Sequence, residues 1–499
     1  MGEDTRKKIL DISRDQVLEL YAGGPDAVVA FVEHIQNLIN GLGEKIEAQQ
    51  KIIEQQEERI RELEGIIKKD SHSSSKPPSS DGYAKRSVTQ KKRSGKRPGG
   101  QRGHEGNTLR MVEDPDKVVV HRVGCCKKCG RTLRKKVVIG YDRRQVFEIP
   151  PFKVEVIEHR AEMKVCEGCG EVSTADFPEG ITHKAQYGER LKAYAVYIKN
   201  YGLLSYERAA ELFEDLFSVP LSAGTLVTID RSCAECLGEV EQRIKEHILD
   251  SPVVHFDETG MRVEGKLQWL HVASTKDLTY YAAHEKRGKD ATDEISLLPQ
   301  YRGRAVHDGW KSYFIYGCDH ALCNAHHIRE LSFIFEQYGQ KWAQDMKELL
   351  LEIKERRERT KRRRFSPETI RRYEKEYRRI VAAGMWANPA AVHHPGGGRR
   401  GRRKKSDALN LLERLKQYEK ETLAFMYDFS VPFDNNQGER DIRMMKVQQK
   451  ISGTFRSSEG ARTFCRIRSY ISTVKKQEMN VISAIHDVFA DKALLPQLG

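Results

Sequence analysis

Val253-Val254-His255-Phe256-Asp257-Glu258-Thr259-Gly260 is the stretch on which the reading of this chain turns. β-Branched and aromatic residues lead into a carboxylate and Thr-Gly follows, which predicts a short buried strand delivering Asp257 to its C-terminal edge. The pattern returns at Ala305-Val306-His307-Asp308-Gly309-Trp310, with Asp308 as the carboxylate. A third acid, Glu439, sits in Asn435-Asn436-Gln437-Gly438-Glu439-Arg440, where the setting is helical. Asn435 or Asn436 is the expected cap, and Glu439 falls in the first turn. Each acid taken alone reads more readily as the cap of a turn. Two strand-end aspartates with a helical glutamate, however, are the donors a two-metal phosphoryl-transfer site requires. Hard Mg²⁺ or Mn²⁺ takes oxygen ligands, and carboxylates from separate elements bridge two ions about 4 Å apart.

Together with Cys323-Asn324-Ala325-His326-His327-Ile328-Arg329-Glu330-Leu331, these motifs resemble the transposases of the insertion sequence 66 family, over nearly the whole chain. The resemblance implies a ribonuclease H-like core and DDE chemistry. Asp257 and Asp308 match the family's aspartates and Glu439 its glutamate, with two Mg²⁺ (or Mn²⁺) per active site. Glu330 and Asp441 are rival third carboxylates. Asp441 lies two residues from Glu439 and so points roughly 200° around the same helix, which makes it dispensable on this reading. His326 and His327 are adjacent and cannot share a helix face, so Arg329 and one histidine on phosphate fit better than paired metal ligation.

A chain of 499 residues exceeds what one core usually supports. Lys+Arg 86 against Asp+Glu 72 gives a net charge of +14, which favours a polyanionic partner. No apolar run is long enough to span a bilayer, and the start MGEDTRKKIL has no signal-peptide core. A cytoplasmic, nucleoid-associated protein without a membrane partner is expected. The ten cysteines include two close Cys-x-x-Cys pairs in a basic region, which in a reducing compartment favours metal over disulfide.

The fold class expected is multidomain α+β. Residues 1–70 form a helical oligomerisation segment, because Val32, Ile39, Ile46, Ile53, Ile60 and Ile67 recur every seven residues with Ile35, Leu42 and Leu63 three places on. That is the a/d pattern of a parallel two-stranded coiled coil, weakened by Gln49 and Gln56 and open to interruption at Gly41 and Gly43. A single helix packed on its own protein is the alternative. Residues 71–113 are a Ser/Pro/Gly-rich linker carrying eight Lys/Arg from Lys85 to Arg102 and no acid. Lys91, Lys92, Arg93, Lys96 and Arg97 there would neutralise DNA phosphates.

Residues 114–178 form a zinc-binding β-ribbon. Cys126, Cys129, Cys166 and Cys169 supply the four thiolates of a closed structural Zn²⁺ site, with Gly130 and Gly170 turning behind each pair. The alternation of Val146, Ile149, Val154 and Val156 suggests a ribbon between the knuckles. Residues 179–250 are helical. The pair around Ser222 reads either as DNA-reading helix-turn-helix or, because Glu207, Glu211, Glu214 and Asp215 make its first helix acidic, as a structural pair.

Residues 251–475 form the catalytic domain, with strand, strand, strand, helix (Thr292 to Leu298), strand in order and the first and fourth strands adjacent. A helical insertion at about 340–426 precedes Glu439. Its Arg356 to Arg379 charges are either a DNA clamp or ordinary intrahelical pairs, whereas Arg399, Arg400, Arg402 and Arg403 in an acid-free Gly-Arg loop read as DNA contacts. Arg443, Lys446 and Lys450 share the helical face of Glu439, and residues 476–499 are a helical tail. The reading is a DNA transposase, acting on element ends and target duplex as a homodimer or larger homo-oligomer, with accessory transposition proteins as further partners. A structure-specific nuclease with the same triad and a dimeric zinc-containing regulator are the rivals.

Overall fold

The structure, a computed structural model, describes residues 13–67, 109–389, 405–490 and 492. The basic residues Lys91, Lys92, Arg93, Lys96 and Arg97, and the loop with Arg399, Arg400, Arg402 and Arg403, lie outside the described residues.

Helix α1 (Arg14–Ala22) starts in a capping box, with Ser13 and Gln16 exchanging side-chain and backbone hydrogen bonds. Helix α2 (Pro25–Ile67) then runs unbroken through Gly41 and Gly43. The expected interruption does not occur, because a helical glycine costs only about 1 kcal/mol against alanine. The seam residues Val32, Ile39, Ile46, Ile53 and Ile60 are between 48% and 64% exposed, so this face does not pack on its own chain.

From residue 109 to 188 the chain has little regular structure beyond two turns, the first closed by the Cys125↔Thr132 bridge and the second by the hairpin of β1 (Met163–Val165) and β2 (Val172–Thr174), each around a Cys-x-x-Cys pair. The expected ribbon through Val146, Ile149, Val154 and Val156 is not formed. All four are exposed, and Pro150-Pro151 in the middle removes the donors a ladder needs.

Four helices follow: α3 (Glu189–Val196), prolonged by a π turn at Tyr197–Tyr201, then α4 (Tyr206–Phe217), α5 (Ala223–Cys236) and α6 (Gly238–Asp250). Ser205 and Ser222 cap α4 and α5 by accepting the N–H of Arg208 and Thr225. Ala209 and Phe213 on α4, and Leu226, Ile229 and Cys233 on α5, are buried in the core that these helices share with the sheet.

The sheet is built from β3 (Val253–Val263), β4 (Lys266–Ser274), β5 (Thr279–His284), β6 (Arg304–His307) and β7 (Asp319–Leu322), with α7 (Lys289–Ile295) between β5 and β6. Its order is β5-β4-β3-β6-β7. Strands β3 to β5 form an antiparallel meander, and β6 and β7 run parallel to β3, so the first and fourth strands are neighbours as expected. Two local expectations are corrected. Strand β3 does not end at Thr259-Gly260; its pairing with β4 continues to Val263↔Lys266, and the turn comes at Glu264-Gly265 with φ of +53° and +76°. Gly260 serves close packing instead, since a Cβ there would lie 3.0 Å from Leu267 Cδ1. Helix α7 stops at Ser296, in the left-handed region, so that Leu297 and Leu298 enter the core.

After β7 come α8 (Asn324–Tyr338), α9 (Lys341–Arg359), α10 (Pro367–Ala387), α11 (Asp407–Gln417), α12 (Glu419–Thr422) and α13 (Ala424–Tyr427). They close a core of their own around Leu331, Trp342, Met346, Tyr377, Leu412 and Phe425. Several of their cations are paired. Arg359 pairs with Glu355, Arg372 with Glu352, Arg378 with Glu419 and Arg379 with Glu376, while Arg357 donates to the carbonyls of Phe429 and Val431. These pairs are the ordinary ones expected of solvated helices, while Lys361, Arg362, Arg363 and Arg364 stay exposed between α9 and α10.

The chain returns to the sheet as α14 (Asn436–Ser452), α15 (Ser458–Lys476) and α16 (Val481–Phe489). Ile442 and Met445 of α14 and Phe464 of α15 cover Met261, Leu270, Val272 and Tyr281 on one face, and Val254, Phe256 and Tyr280 face the α3–α6 side. Helix α15 also caps the edge strand. Thr279 and Tyr281 donate their N–H groups to Thr473 Oγ1 (3.1 Å) and Ser469 Oγ (2.9 Å), the i, i+4 spacing of a helix matching alternate strand residues. Among the described residues, no helix is long and apolar enough to cross a membrane.

Candidate active site

Asp257 lies in mid-strand, yet just beyond the point where β6 stops pairing with β3 at His255↔Val306, so its carboxyl emerges at the open end of that parallel pair. Asp308 follows β6 directly. Its Oδ1 accepts the N–H of Trp310 at 2.9 Å, a turn that needs Gly309 at φ +87°. Glu439 sits in the first turn of α14.

Asn435 occupies the cap position of that helix but does not cap it. Its Oδ1 meets His255 Nδ1 at 2.7 Å and its Nδ2 donates to Phe256 O at 2.9 Å, pinning α14 to the strand that carries Asp257. Gly438 makes room, since a Cβ there would meet the Asn435 amide at 3.2 Å. Further along α14, Lys446 donates to Gly260 O at 3.1 Å. The Asn-Asn-Gln-Gly-Glu motif thus holds the helix against β3 as well as supplying its acid.

Asp257 feels the charge of both other carboxylates. Burial pushes the Asp257 carboxyl well above its ordinary range, and the charges of Glu258, Asp308 and, more weakly, Glu439 add to this. Asp308 is pushed up to about 6 by burial and then by Glu258, with Arg287 and Arg414 pulling the other way. Glu439 is four-fifths covered, with Arg329 Nη2 at 3.7 Å, His326 Nε2 at 3.9 Å and Arg443 Nη2 at 4.0 Å. Of the three bases expected on its helix face, only Arg443 attends it. Lys446 is used on Gly260, with burial lowering its pKa, and Lys450 is exposed.

The rivals have other partners. Glu330 pairs with Arg414, and Asp441 pairs with Lys476 at 2.7 Å and accepts from Ser274 and Gln437. The two histidines part as their adjacency requires: His326 turns to Glu439, while His327 is buried against Asn324.

Sequence reasoning passed over the residues that hold the aspartates in register. Glu258, its side chain 2% exposed, accepts from Arg287 and from the Tyr313 hydroxyl. The Arg287 guanidinium is sandwiched between Trp269, 4.7 Å from the ring centre, and Trp310 at 3.9 Å. Gly288, at φ +102°, lets Trp310 approach. Behind Asp308, His307 Nδ1 accepts the Gly309 N–H and its Nε2 meets His320 Nδ1 at 3.0 Å. A clamp of acid, arginine and two indoles thus ties the residue after Asp257 to the turn after Asp308. The one sequence signal was the adjacency of Glu258 to Asp257.

The cysteine pairs form two matching knuckles. Cys126 N donates to Arg131 O and Gly130 N to Cys126 O; Cys166 N donates to Glu171 O and Gly170 N to Cys166 O, with both glycines at positive φ. Backbone N–H groups of each turn lower the Cys126 and Cys166 thiol pKa values, first from Cys129 and from Gly168 respectively, as a thiolate ligand needs. Each half therefore fits half of a tetrahedral thiolate site, although no three of the four sulfurs lie within 4.8 Å of one another.

With this geometry in view, the chain was compared with known families. The model described as "Transposase IS66 family" matches residues 184–463, which include Asp257, Asp308 and Glu439. The zinc-finger binding domain of transposase IS66 matches residues 124–170, which include all four paired cysteines. A family of unknown function (DUF6444) matches residues 28–110. No curated protein matches the chain.

Proposed function

Because the chain belongs to the transposase IS66 family, we propose that it is a DDE-type DNA transposase that cleaves at the ends of its element and joins them to target DNA. The observation that carries this reading is the burial of two raised carboxyls, Asp257 and Asp308, at the ends of neighbouring strands, Asp257 raised further by the Asp308 and Glu439 charges, with Glu439 on the helix pinned beside them. A β5-β4-β3-β6-β7 sheet with an acid following β3 and β6 pairing, and a third acid on a helix across one face, supports a ribonuclease H-like core.

The donors of Asp257, Asp308 and Glu439 are all hard oxygens, which suits divalent Mg²⁺ or Mn²⁺. Two such ions, when bound, supply an acidified nucleophile and charge for the leaving oxygen. The chain's own residues do the rest. Asp257 and Asp308 are held at fixed separation by the Glu258–Arg287–Trp310 clamp, and Arg329, His326 and Arg443 present N–H donors where a DNA phosphate would pass. Further phosphate contacts fall to the basic linker and the Gly-Arg loop.

The deciding experiment incubates the full chain with Mg²⁺, a pre-nicked element end and a plasmid target. Joined product is expected. Cleavage alone would leave a nuclease, and binding alone a regulator.

The perturbed aspartates give this reading a pH signature. Unfolded, such carboxyls ionise near pH 4, whereas in the folded, metal-free chain Asp308 holds its proton to about 6. The folded state therefore binds more protons over that window, and stability falls as pH rises from about 4 through about 6. Cations compete with those protons, so Mn²⁺ should raise the melting temperature more at about pH 7.5 than at about pH 5. Equal shifts at both would separate the aspartates from metal binding.

The knuckles are assigned one structural Zn²⁺ per chain, on Cys126, Cys129, Cys166 and Cys169. Metal analysis should find one equivalent, lost in Cys126→Ser with Cys169→Ser while the melting of the catalytic core is unchanged. Zinc retained in that double variant would refute the assignment. The open seam of α2 is assigned to a parallel two-stranded coil, so deleting residues 1–67 should take the particle seen by light scattering from two chains to one. A particle still of two shortened chains would place the dimer contact elsewhere.

A further inference from the structure

We propose that Cys323, His326 and Glu439 form a metal site of a different kind from the all-oxygen one, taking a borderline ion such as Zn²⁺ in preference to Mg²⁺. One donor atom from each residue lies within 4.8 Å of the other two, and Cys323 Sγ and His326 Nε2 are each 3.9 Å from Glu439 Oε1. The donors are pre-set. Cys323 donates its N–H to His307 O at 2.9 Å, and its sulfur accepts the Asn435 N–H at 3.1 Å, so it is tied to both the Asp308 strand and the start of α14. His326 stands three residues on, in the first turn of α8, which brings it to the same side as Cys323.

The His326 ring supplies an independent observation. Its Nδ1 is buried without a hydrogen-bond partner, so packing alone orients the imidazole with Nε2 toward Glu439. A buried histidine nitrogen is ordinarily satisfied, so this ring has no hydrogen bond through Nδ1 that an ion at Nε2 would have to break.

Sulfur, imidazole nitrogen and carboxylate oxygen are the donor types of Zn²⁺, whose bonds of about 2.0–2.3 Å require these atoms to close in by less than about 1 Å. Mg²⁺ takes oxygen and has no use for the thiol. Burial pushes the Cys323 thiol up to about 12, so the ion has to displace its proton, which passes to bulk water as the site loads; thiolate plus carboxylate then neutralise the dication. Glu439 is 20% exposed and His326 12%, which leaves one side open for a fourth ligand. Arg329 and Arg443 flank Glu439 and oppose a cation, but both are on flexible stems, while Asp257 nearby favours one. An ion here would occupy the glutamate that the proposed DDE site uses. On that reading, which this consequence alone rests on, Zn²⁺ would switch strand transfer off.

The test is a titration of Co²⁺ into the full chain carrying zinc on its knuckles, read by thiolate-to-cobalt charge-transfer absorption. We expect one further equivalent with a single-thiolate signature. It should be absent in Cys323→Ser and weakened in His326→Ala by more than the roughly 10- to 100-fold that loss of an outer-sphere partner costs. Circular dichroism checks that both variants fold. A titration of Cys323→Ser identical to that of the unaltered chain, or no cobalt bound beyond the knuckles, overturns the site. Because the readout is binding, it stands or falls separately from the joining assay.

Discussion

Alanine at Asp257, Asp308 or Glu439 is expected to abolish cleavage and joining while leaving the binding of element ends nearly intact. On the proposed function binding is spread over many basic residues, so no one carboxylate carries it. On the same reading each acid is a separate ligand of the chemistry's metals. Losing one should remove several kcal/mol of transition-state stabilisation, a fall on the order of a thousandfold or more. Gel shift and the joining assay on the same preparations check both halves. The structure adds a stability signature. Burial and neighbouring charge already hold the Asp257 carboxyl well above its ordinary range, so Asp257→Asn should melt higher than the metal-free parent while being inactive. Glu330 serves as the control, since its pairing with Arg414 ties it to α11 and away from the aspartates. An active Glu439→Ala beside a dead Glu330→Ala would unseat the third member of the triad.

Much of this was legible in the sequence, and the reasons are local. The strand bearing Asp257 announced itself by Val253, Val254 and Phe256, and the strand bearing Asp308 by Ala305 and Val306, because period-two burial is a short-range pattern. Helix α14 was legible for the same reason, through its polar start and apolar Ile442 and Met445. What escaped is set by distant partners. Asn435 looked like a cap because asparagine before a helix usually is one; only the fold brings His255 and the Phe256 carbonyl within its reach. Thr259-Gly260 looked like a strand end because glycine usually breaks a run, but β4 supplies hydrogen bonds on both sides of it. Strand β7 was passed over because Asp319–Leu322 has too few residues to show a period. The clamp around Glu258 could not be read at all, since Trp269, Arg287 and Trp310 come from three separate elements.

Asp441 is where the structure changes an expectation most, and Asp441→Ala should destabilise the protein by about 3–5 kcal/mol rather than pass unnoticed. Its position on the far side of α14 from Glu439 argued for dispensability as a metal ligand, and that argument stands. It said nothing about what the far side meets. There the carboxylate pairs at 2.7 Å with Lys476 of α15, a lysine whose side chain is 12% exposed and whose ammonium also donates to Ser274 Oγ, Thr275 O and Leu278 O at 2.9 Å each. Tyr281 donates its hydroxyl to Asp441 O at 2.8 Å from the edge strand. Burial lowers the Lys476 pKa and the Asp441 charge holds it up, so removing the acid leaves a buried cation uncompensated. The cost is the unpaired lysine, not the lost bond. Lys476→Met in the same chain should therefore recover much of the loss, and the double-mutant cycle should show coupling of at least about 1 kcal/mol. Thermal melts and protease resistance of the single and double variants measure this, and additive losses would show that the pair is not a unit. The activity readout runs opposite to that of Glu439. Asp441→Ala should lose folded protein yet keep near-normal activity per folded molecule in the cold, while Glu439→Ala stays folded and inactive. Two acids two residues apart, on opposite sides of one helix, would thus be separated by which of stability and chemistry fails.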